Sequence, residues 1–388
     1  MKIFKKHGLK IIGAILVLIL ILTSLPQGRA FGKTLILLPE FIPNSKFKII
    51  QLFTQKPQIT EVIFQSGQET IYADLWSPAK KGNHPAAVLH LGVDIDRKDE
   101  RAQKLADVLA RSGIVTLIPN INSLHRRRLL AEGKDDLVSS FEYLKSQPNV
   151  KTEKIGFLAF CAAGGLAILA AEDPKISADV AFVTAINPYF DLNSLYENIT
   201  LRQINDNGRL QNWRPHFKTV EIYNRETIGL LPSERDREIL RKHLILIEKE
   251  QLEEGEFPLL SQEELSQLSP EAKFTWQLLT NKDPKKTLFF QNNTTEAQKN
   301  FLKELSPSTN TLNLKAKIFI LADVNNVYIP FSQAKMLASV LPKDQRIFME
   351  TKILPEGNLV KSLPLKDYLI EGIKIFKFIF QFLLENSP

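Results

Sequence analysis

The side chains best suited to act as a nucleophile, a general base or a soft metal ligand are few in this chain. Cysteine occurs once, as Cys161, and histidine six times, at His7, His84, His90, His125, His216 and His243. A single thiol excludes an intrachain disulfide and any multi-cysteine zinc site. The histidines are scattered, with no HExxH helix and no closely spaced pair, so neither a metal nor another cofactor is expected. Any chemistry must therefore be built around Cys161.

Cys161 stands in Ile155-Gly-Phe-Leu-Ala159-Phe160-Cys161-Ala162-Ala163-Gly164-Gly165-Leu-Ala, with small residues two positions before and two positions after it. The apolar run before it predicts a buried strand, and the small-residue run after it a close-packed helix. A sharp strand-to-helix turn tolerates only small neighbours and projects its central side chain at the carboxyl end of the sheet. There the Ala162 N–H could serve an oxyanion, and the helix N-terminus favours a thiolate. The competing reading is an inert core cysteine.

The flanking pattern supplies the elements this turn requires. Residues 61–64 and 70–76 read as a β-hairpin, and 86–92, 114–118, 154–160 and 178–185 as short buried strands. Amphipathic or small-residue helices are predicted at 97–112, 135–146 and 162–171. The rhythm resumes with strands at 315–321 and 346–353 and helices at 332–341 and 366–384. Strand and helix in alternation predict an α/β protein with a doubly wound, mostly parallel sheet, whose ligands bind at the carboxyl ends of the strands. Residues 193–313 are polar and helix-rich, with capping signals at Ser233, Ser261 with Glu264, and Ser269-Pro270-Glu271. They read as a helical cap inserted into a core made of 58–192 and 314–388, or else as a separate small domain. The last helix is read as packed on the sheet, with a membrane-surface role as the alternative.

The segment Ala159-Phe-Cys-Ala-Ala-Gly-Gly-Leu-Ala167 resembles the α/β-hydrolases, and most closely their dienelactone-hydrolase-like branch, which uses a cysteine at this elbow. The resemblance covers about 61–190 and 312–385. It implies an α/β-hydrolase fold and hydrolysis of ester, lactone or thioester bonds in a small molecule, with Cys161 as nucleophile. Leu89-His-Leu-Gly92-Val93-Asp94 looks like the branch's oxyanion strand, which gives Val93 the second N–H beside that of Ala162. Leu268-Ser-Pro-Glu-Ala272 and Leu305-Ser-Pro307 are similar to the helical cap of some membrane-linked α/β-hydrolases.

Departures from the family pattern fall on the rest of the triad. In Asp323-Val-Asn-Asn326-Val-Tyr-Ile-Pro330 the acid position holds Asn326, and in Ile353-Leu-Pro-Glu-Gly-Asn358-Leu the histidine position holds Asn358. An amide cannot take a proton from the nucleophile, so general-base activation is missing. The glutamate that assists the cysteine in this branch has no counterpart in residues 89–93. Asp323 is a possible displaced acid, though a turn-forming role suits its place at a strand end. The alternative to an enzyme is thus a degenerate hydrolase fold that binds a ligand or partner. His125 and Arg126, within His125-Arg-Arg-Arg128, follow a strand at the ligand-binding end and read either as a solvated loop or as an anion-binding rim. His216 and His243, in the cap, read as surface residues.

The net charge of +7 is concentrated at the N-terminus. Residues 1–60 carry nine Lys/Arg against Glu40 alone, which leaves the remainder close to neutral and without the basic face that nucleic-acid binding requires. Lys2, Lys5, Lys6 and Lys10 precede a nearly continuous apolar run at 11–25. Residues 1–30 therefore read as a membrane helix or a signal segment, and 31–57 as a linker. The lysine bias places the N-terminus in the cytoplasm and the body on the extracytoplasmic side.

Overall fold

The computed structural model describes residues 25–41, 49–206, 208–250, 260–354 and 363–386. Ahead of the sheet come helices α1 (Pro26–Leu37) and α2 (Ile49–Phe53). The first part of the core is β1 (Gln58–Ser66), β2 (Glu69–Ser77), β3 (His84–His90), α3 (Glu100–Arg111), β4 (Val115–Pro119), α4 (Asn122–His125), α5 (Ala131–Lys145), β5 (Val150–Phe160), α6 (Cys161–Glu172) and β6 (Val180–Ile186). The inserted region holds α7 (Leu192–Leu201), β7 (Gln203–Asp206), β8 (Arg209–Asn212), α8 (Phe217–Gly229), α9 (Glu234–Glu250), α10 (Gln262–Gln267), α11 (Pro270–Leu279), α12 (Thr287–Asn293) and α13 (Glu296–Glu304). The core closes with β9 (Lys317–Asp323), α14 (Phe331–Val340), β10 (Arg346–Thr351) and α15 (Leu365–Asn386).

Among the described residues, eight strands form one sheet in the order β1-β2-β4-β3-β5-β6-β9-β10. The first two pairings, β1 with β2 and β2 with β4, are antiparallel, and every later pairing is parallel. Two apolar layers cover the sheet. On one face, Leu137 and Phe141 of α5, Ala163 to Ala171 of α6 and Leu337 of α14 pack on Val88, Phe157 and Ile320. On the other face, Ala106 and Leu109 of α3 and Phe378 and Phe382 of α15 pack on Leu89, Phe182 and Phe319. This is the doubly wound α/β arrangement that strand–helix alternation predicts. Central strands β3 and β4 are buried along their whole length, as strands covered on both faces must be.

The insertion shares the first of these apolar layers. Trp213, Tyr223, Leu240, Trp276 and Leu305 belong to the same buried cluster as the sheet residues beneath them. Its capping signals are realised. Ser261 and Glu264 form a capping box at α10. Ser269 caps α11 and also donates to the buried Asp236 carboxylate at 2.6 Å, which ties α11 to α9. The Leu305-Ser-Pro307 motif closes the insertion, because Ser306 Oγ accepts from Leu192 N at 2.9 Å and Ser308 N donates to Phe190 O at 3.0 Å.

The N-terminal expectation needs correction. Helix α1 runs from the end of the segment read as a membrane helix or signal into the stretch read as a linker, which also contains α2, and Leu37 and Ile50 are buried in the second apolar layer. Phe31 of α1 meets Phe376 of α15 edge to face, with ring centroids 5.3 Å apart. An apolar run adjoining this segment masked its own helical periodicity. Most of the expected membrane segment, residues 1–24, lies outside the described residues; among those described, no helix is long and apolar enough to cross a membrane.

Candidate active site

Cys161 is the first residue of α6, directly after β5, and its φ is +53°. A left-handed backbone is uncommon for a side chain with a Cβ, and it persists only where the surroundings over-determine it. Here the constraints are visible. A Cβ at Gly164 would stand 3.2 Å from Pro188 Cβ, and one at Gly165 would stand 2.2 Å from the Tyr189 ring. The small residues after Cys161 thus let α6 lie directly against the loop after β6, which fixes the tight turn. The thiol is half-buried at the carboxyl edge of the sheet.

The β3 end is built to match. Gly92 has a φ of +109°, and a Cβ there would stand 3.2 Å from Cys161 Cβ. Both the backbone conformation and the close approach require glycine at this position. Val93 follows Gly92 in a half-exposed turn, and Ala162 is the second residue of α6, next to Cys161. His90, two residues before Gly92, is buried, and its Nδ1 accepts from Gly92 N at 3.2 Å. Burial pushes its imidazole down to about 4, and its Nε2 has no partner among the described residues. It is therefore a neutral ring that holds the β3 turn.

The acid position is occupied differently. Asn326 is buried, and its Oδ1 accepts from Tyr328 N and Ile329 N, both at 2.8 Å. Its backbone carbonyl accepts from Trp213 Nε1 of the insertion at 2.9 Å. Asp323 accepts from Asn325 N at 2.8 Å and from Leu354 N at 2.9 Å, joining the ends of β9 and β10. Burial raises its carboxyl above the ordinary range despite these two bonds. Asn187, with φ +50°, extends the ladder to β6 by accepting from Asp323 N at 2.6 Å. The turn-forming reading of Asp323 is the one realised. Asn358 lies outside the described residues.

His125 and Arg126 are both exposed, at the end of α4 and just after it. The neighbouring arginines carry the contacts instead. Arg127 bridges Asp94 at 3.2 Å and the buried Glu221 of α8 at 3.3 Å. Arg128 grips the buried Glu226 with bonds of 2.6 and 2.9 Å. Lys218 of α8 also reaches Asp94 at 2.8 Å. Burial would raise the Asp94 carboxyl, but Lys218 and Arg127 outweigh that and hold it below its usual value. The inserted helix α8 is therefore strapped by ion pairs to the loops after β3 and β4.

Two cap histidines depart from the surface reading. His216 N donates to Val327 O at 2.7 Å, and its ring lies 4.5 Å from that of Tyr328, which draws it against the loop after β9. His243 is buried, 3.2 Å from Glu264 and edge-on to Trp276. Sequence reasoning gave no role to Asp94, Asn187, Lys218, Glu221 and Glu226, each of which has a partner remote in the chain. Among the described residues, no group of three or more His, Cys, Asp or Glu side chains could hold a metal ion.

Comparison with known proteins agrees with this geometry. Residues 90–197, which include the β3 turn and the elbow, match the dienelactone hydrolase family. Acylaminoacyl peptidase in complex with Z-Gly-Gly-Phe-chloromethyl ketone is similar with a TM-score of 0.50 and 13% identity, over 86% of this chain and 43% of that chain. The Pyrococcus horikoshii acylaminoacyl peptidase gives 0.49 and 14%, over 86% and 42%. The dienelactone hydrolase from Anabaena variabilis ATCC 29413 gives 0.30 and 20%, over 35% and 65%. The chain thus spans less than half the length of these peptidases. No curated protein matches the sequence. Residues 90–197 are thus similar to the dienelactone hydrolase family, and the chain has an α/β fold whose eight-stranded, mostly parallel sheet is consistent with an α/β-hydrolase.

Proposed function

We propose that this protein is a thiol-dependent hydrolase of small activated acyl compounds, namely esters, lactones or thioesters. Its N-terminal segment tethers it to a membrane, with the folded body on the extracytoplasmic side. The observation that carries the catalytic reading is the left-handed Cys161 at the β5–α6 turn, with Gly92 packed against it.

The thiolate sulfur attacks the acyl carbonyl, and the developing oxyanion faces the N–H groups of Ala162 and Val93. Collapse expels the leaving group, which takes up a proton from water. A second water then cleaves the acyl-thioester, releasing the acid and restoring the thiolate. With an amide at the acid position, no side chain is set to drive proton transfer from there. The reaction then depends on the nucleophilicity of sulfur and on a good leaving group, which favours thioesters, aryl esters and strained lactones.

The bonding of Asn326 favours a second reading, a ligand-binding protein on the same fold, because its side-chain oxygen is already committed to its own loop. Turnover of aryl thioesters and esters by the wild type and by Cys161→Ala separates the two. The catalytic reading expects a loss of at least ~10³-fold, with iodoacetamide blocking the wild type alone. Equal turnover by both proteins overturns it. Measurable activity gained by the double variant Asn326→Asp/Asn358→His, from a wild type with none, supports the binding reading.

A further inference from the structure

We infer that α1 and the first half of α15 form a face on which the folded body lies against an anionic lipid bilayer, in addition to any tether formed by residues 1–24. Helix α15 has two apolar sides. Phe378, Phe382 and Leu383 are buried against the sheet, while Leu365, Leu369, Ile370 and Ile373 point outward, with Leu365 76% and Leu369 62% exposed. Helix α1 repeats the pattern, with Ala30, Thr34 and Leu37 turned inward and Phe31 and Leu35 about half exposed. The Phe31–Phe376 contact joins the two outward stripes into one surface, and Leu52 and Phe53 of α2 add to it beside α1. Isolated exposed apolar side chains are common on proteins, but a contiguous set drawn from adjacent helices marks an interaction surface.

Two observations point to lipid as the occupant. The apolar run at 11–25 ends directly before Pro26, the first residue of α1, so the sequence delivers this face to the end of a bilayer-seeking segment. From Leu365 to Phe380 of α15 the exposed charged side chains are basic, Lys366 and Lys377, and Lys56 follows α2. On α15, Asp367 is half-buried, and Glu371 is buried with its carboxylate held by Lys374 at 2.7 Å. An apolar stripe with a basic border suits insertion at the level of anionic headgroups.

The test uses the full chain with Cys161→Ser, carrying a single new thiol at Leu35→Cys, Leu369→Cys or Ile373→Cys and labelled with an environment-sensitive fluorophore. These side chains are exposed, so the replacements leave the core intact. The control is Leu312→Cys in the insertion, where Leu312 is 99% exposed. The proteins are reconstituted with vesicles of phosphatidylethanolamine and phosphatidylglycerol whose acyl chains are brominated. The inference expects severalfold stronger quenching at 35, 369 and 373 than at 312. Equal quenching at all four sites overturns it. So does a label at 369 that is shielded without being quenched, or cross-linking between copies at 369, which would mean cover by another part of this chain or by a second copy. Flotation of the vesicles reads the tether separately: protein that floats without selective quenching keeps the tether and loses this inference, and protein that does not float loses both. The catalytic reading is untouched by any of these results.

Discussion

The carboxyl edge of the sheet has two sides that use polar and strained residues in opposite ways. At the ends of β3 and β5, strain is concentrated: Gly92, Asp94 and Cys161 all have positive φ within one cluster of turns. At the ends of β9 and β10, the polar side chains are consumed by backbone N–H groups, with Asn326 and Asp323 each accepting two. Conformational strain held at a nucleophile position is what a catalytic elbow requires, whereas saturated acceptors are what a stable loop requires. The positive-φ turns thus lie at one side of this edge, and the loop-holding acceptors Asn326 and Asp323 at the other.

The comparison can be broken from either side. The largest effect is expected at Glu172, the last residue of the elbow helix, whose two carboxyl oxygens are buried without a partner among the described residues. Burial pushes its pKa up from 4.5 to about 9. The folded state therefore holds a proton that the unfolded chain has released, and the stability it contributes is complete below about pH 4.5. It is lost as pH rises and gone beyond about pH 9. Glu172→Gln should remove this slope of ~1.4 kcal/mol per pH unit, a difference of about 4 kcal/mol between pH 5 and pH 8 by urea denaturation. Parallel pH profiles for the two proteins would show that the elbow helix holds no such buried acid.

Next in size, Gly165→Val should cost about 3 kcal/mol or more, because the added carbons meet the Tyr189 ring. A midpoint shift smaller than that of Gly32→Val, where a Cβ meets nothing within 4 Å, would break the account of the close-packed elbow. Gly92→Ala should destabilise by about 2 kcal/mol through its positive φ and also lower the turnover that depends on Cys161. Unchanged turnover would separate the β3 turn from the site. On the other side, Asn326→Ala should cost about 2 kcal/mol through two orphaned N–H groups, and Asn326→Asp, which keeps an acceptor, less than 1 kcal/mol. If Asp proved as costly as Ala, the loop-holding role of Asn326 would fall.

Much of the fold was legible because strand–helix alternation and buried apolar runs are local signals, and each predicted core strand is present with its ends moved by a few residues. The elbow was legible for the same reason, since small residues around Cys161 are a steric requirement written in consecutive positions. Helix α1 was hidden because it is apolar on both sides and adjoins a longer apolar run. The β7–β8 ribbon was hidden because Gln203-Ile-Asn-Asp206 and Arg209-Leu-Gln-Asn212 show no alternation. Asn326 could be read only as a missing acid; its work as a double acceptor depends on the path of its loop. The ion pairs of Arg127 and Arg128 could not be read from the sequence because their carboxylates lie 94 and 98 positions away.

The clamp that closes the insertion also bears on how the chain folds. Strands β6 and β9 are neighbours in the sheet although the whole insertion separates them, and Ser306 meets Leu192 across 114 residues. Closing so long a loop costs only about 0.6 kcal/mol more for each doubling of its length, but it must be closed before β9 and β10 can add. The sheet from β1 to β6 needs no residue beyond Ile186 for its pairings. Assembly can therefore proceed in two stages during synthesis, with the elbow strand placed early and the last two strands waiting for the serine clamp to bring the ends of the insertion together.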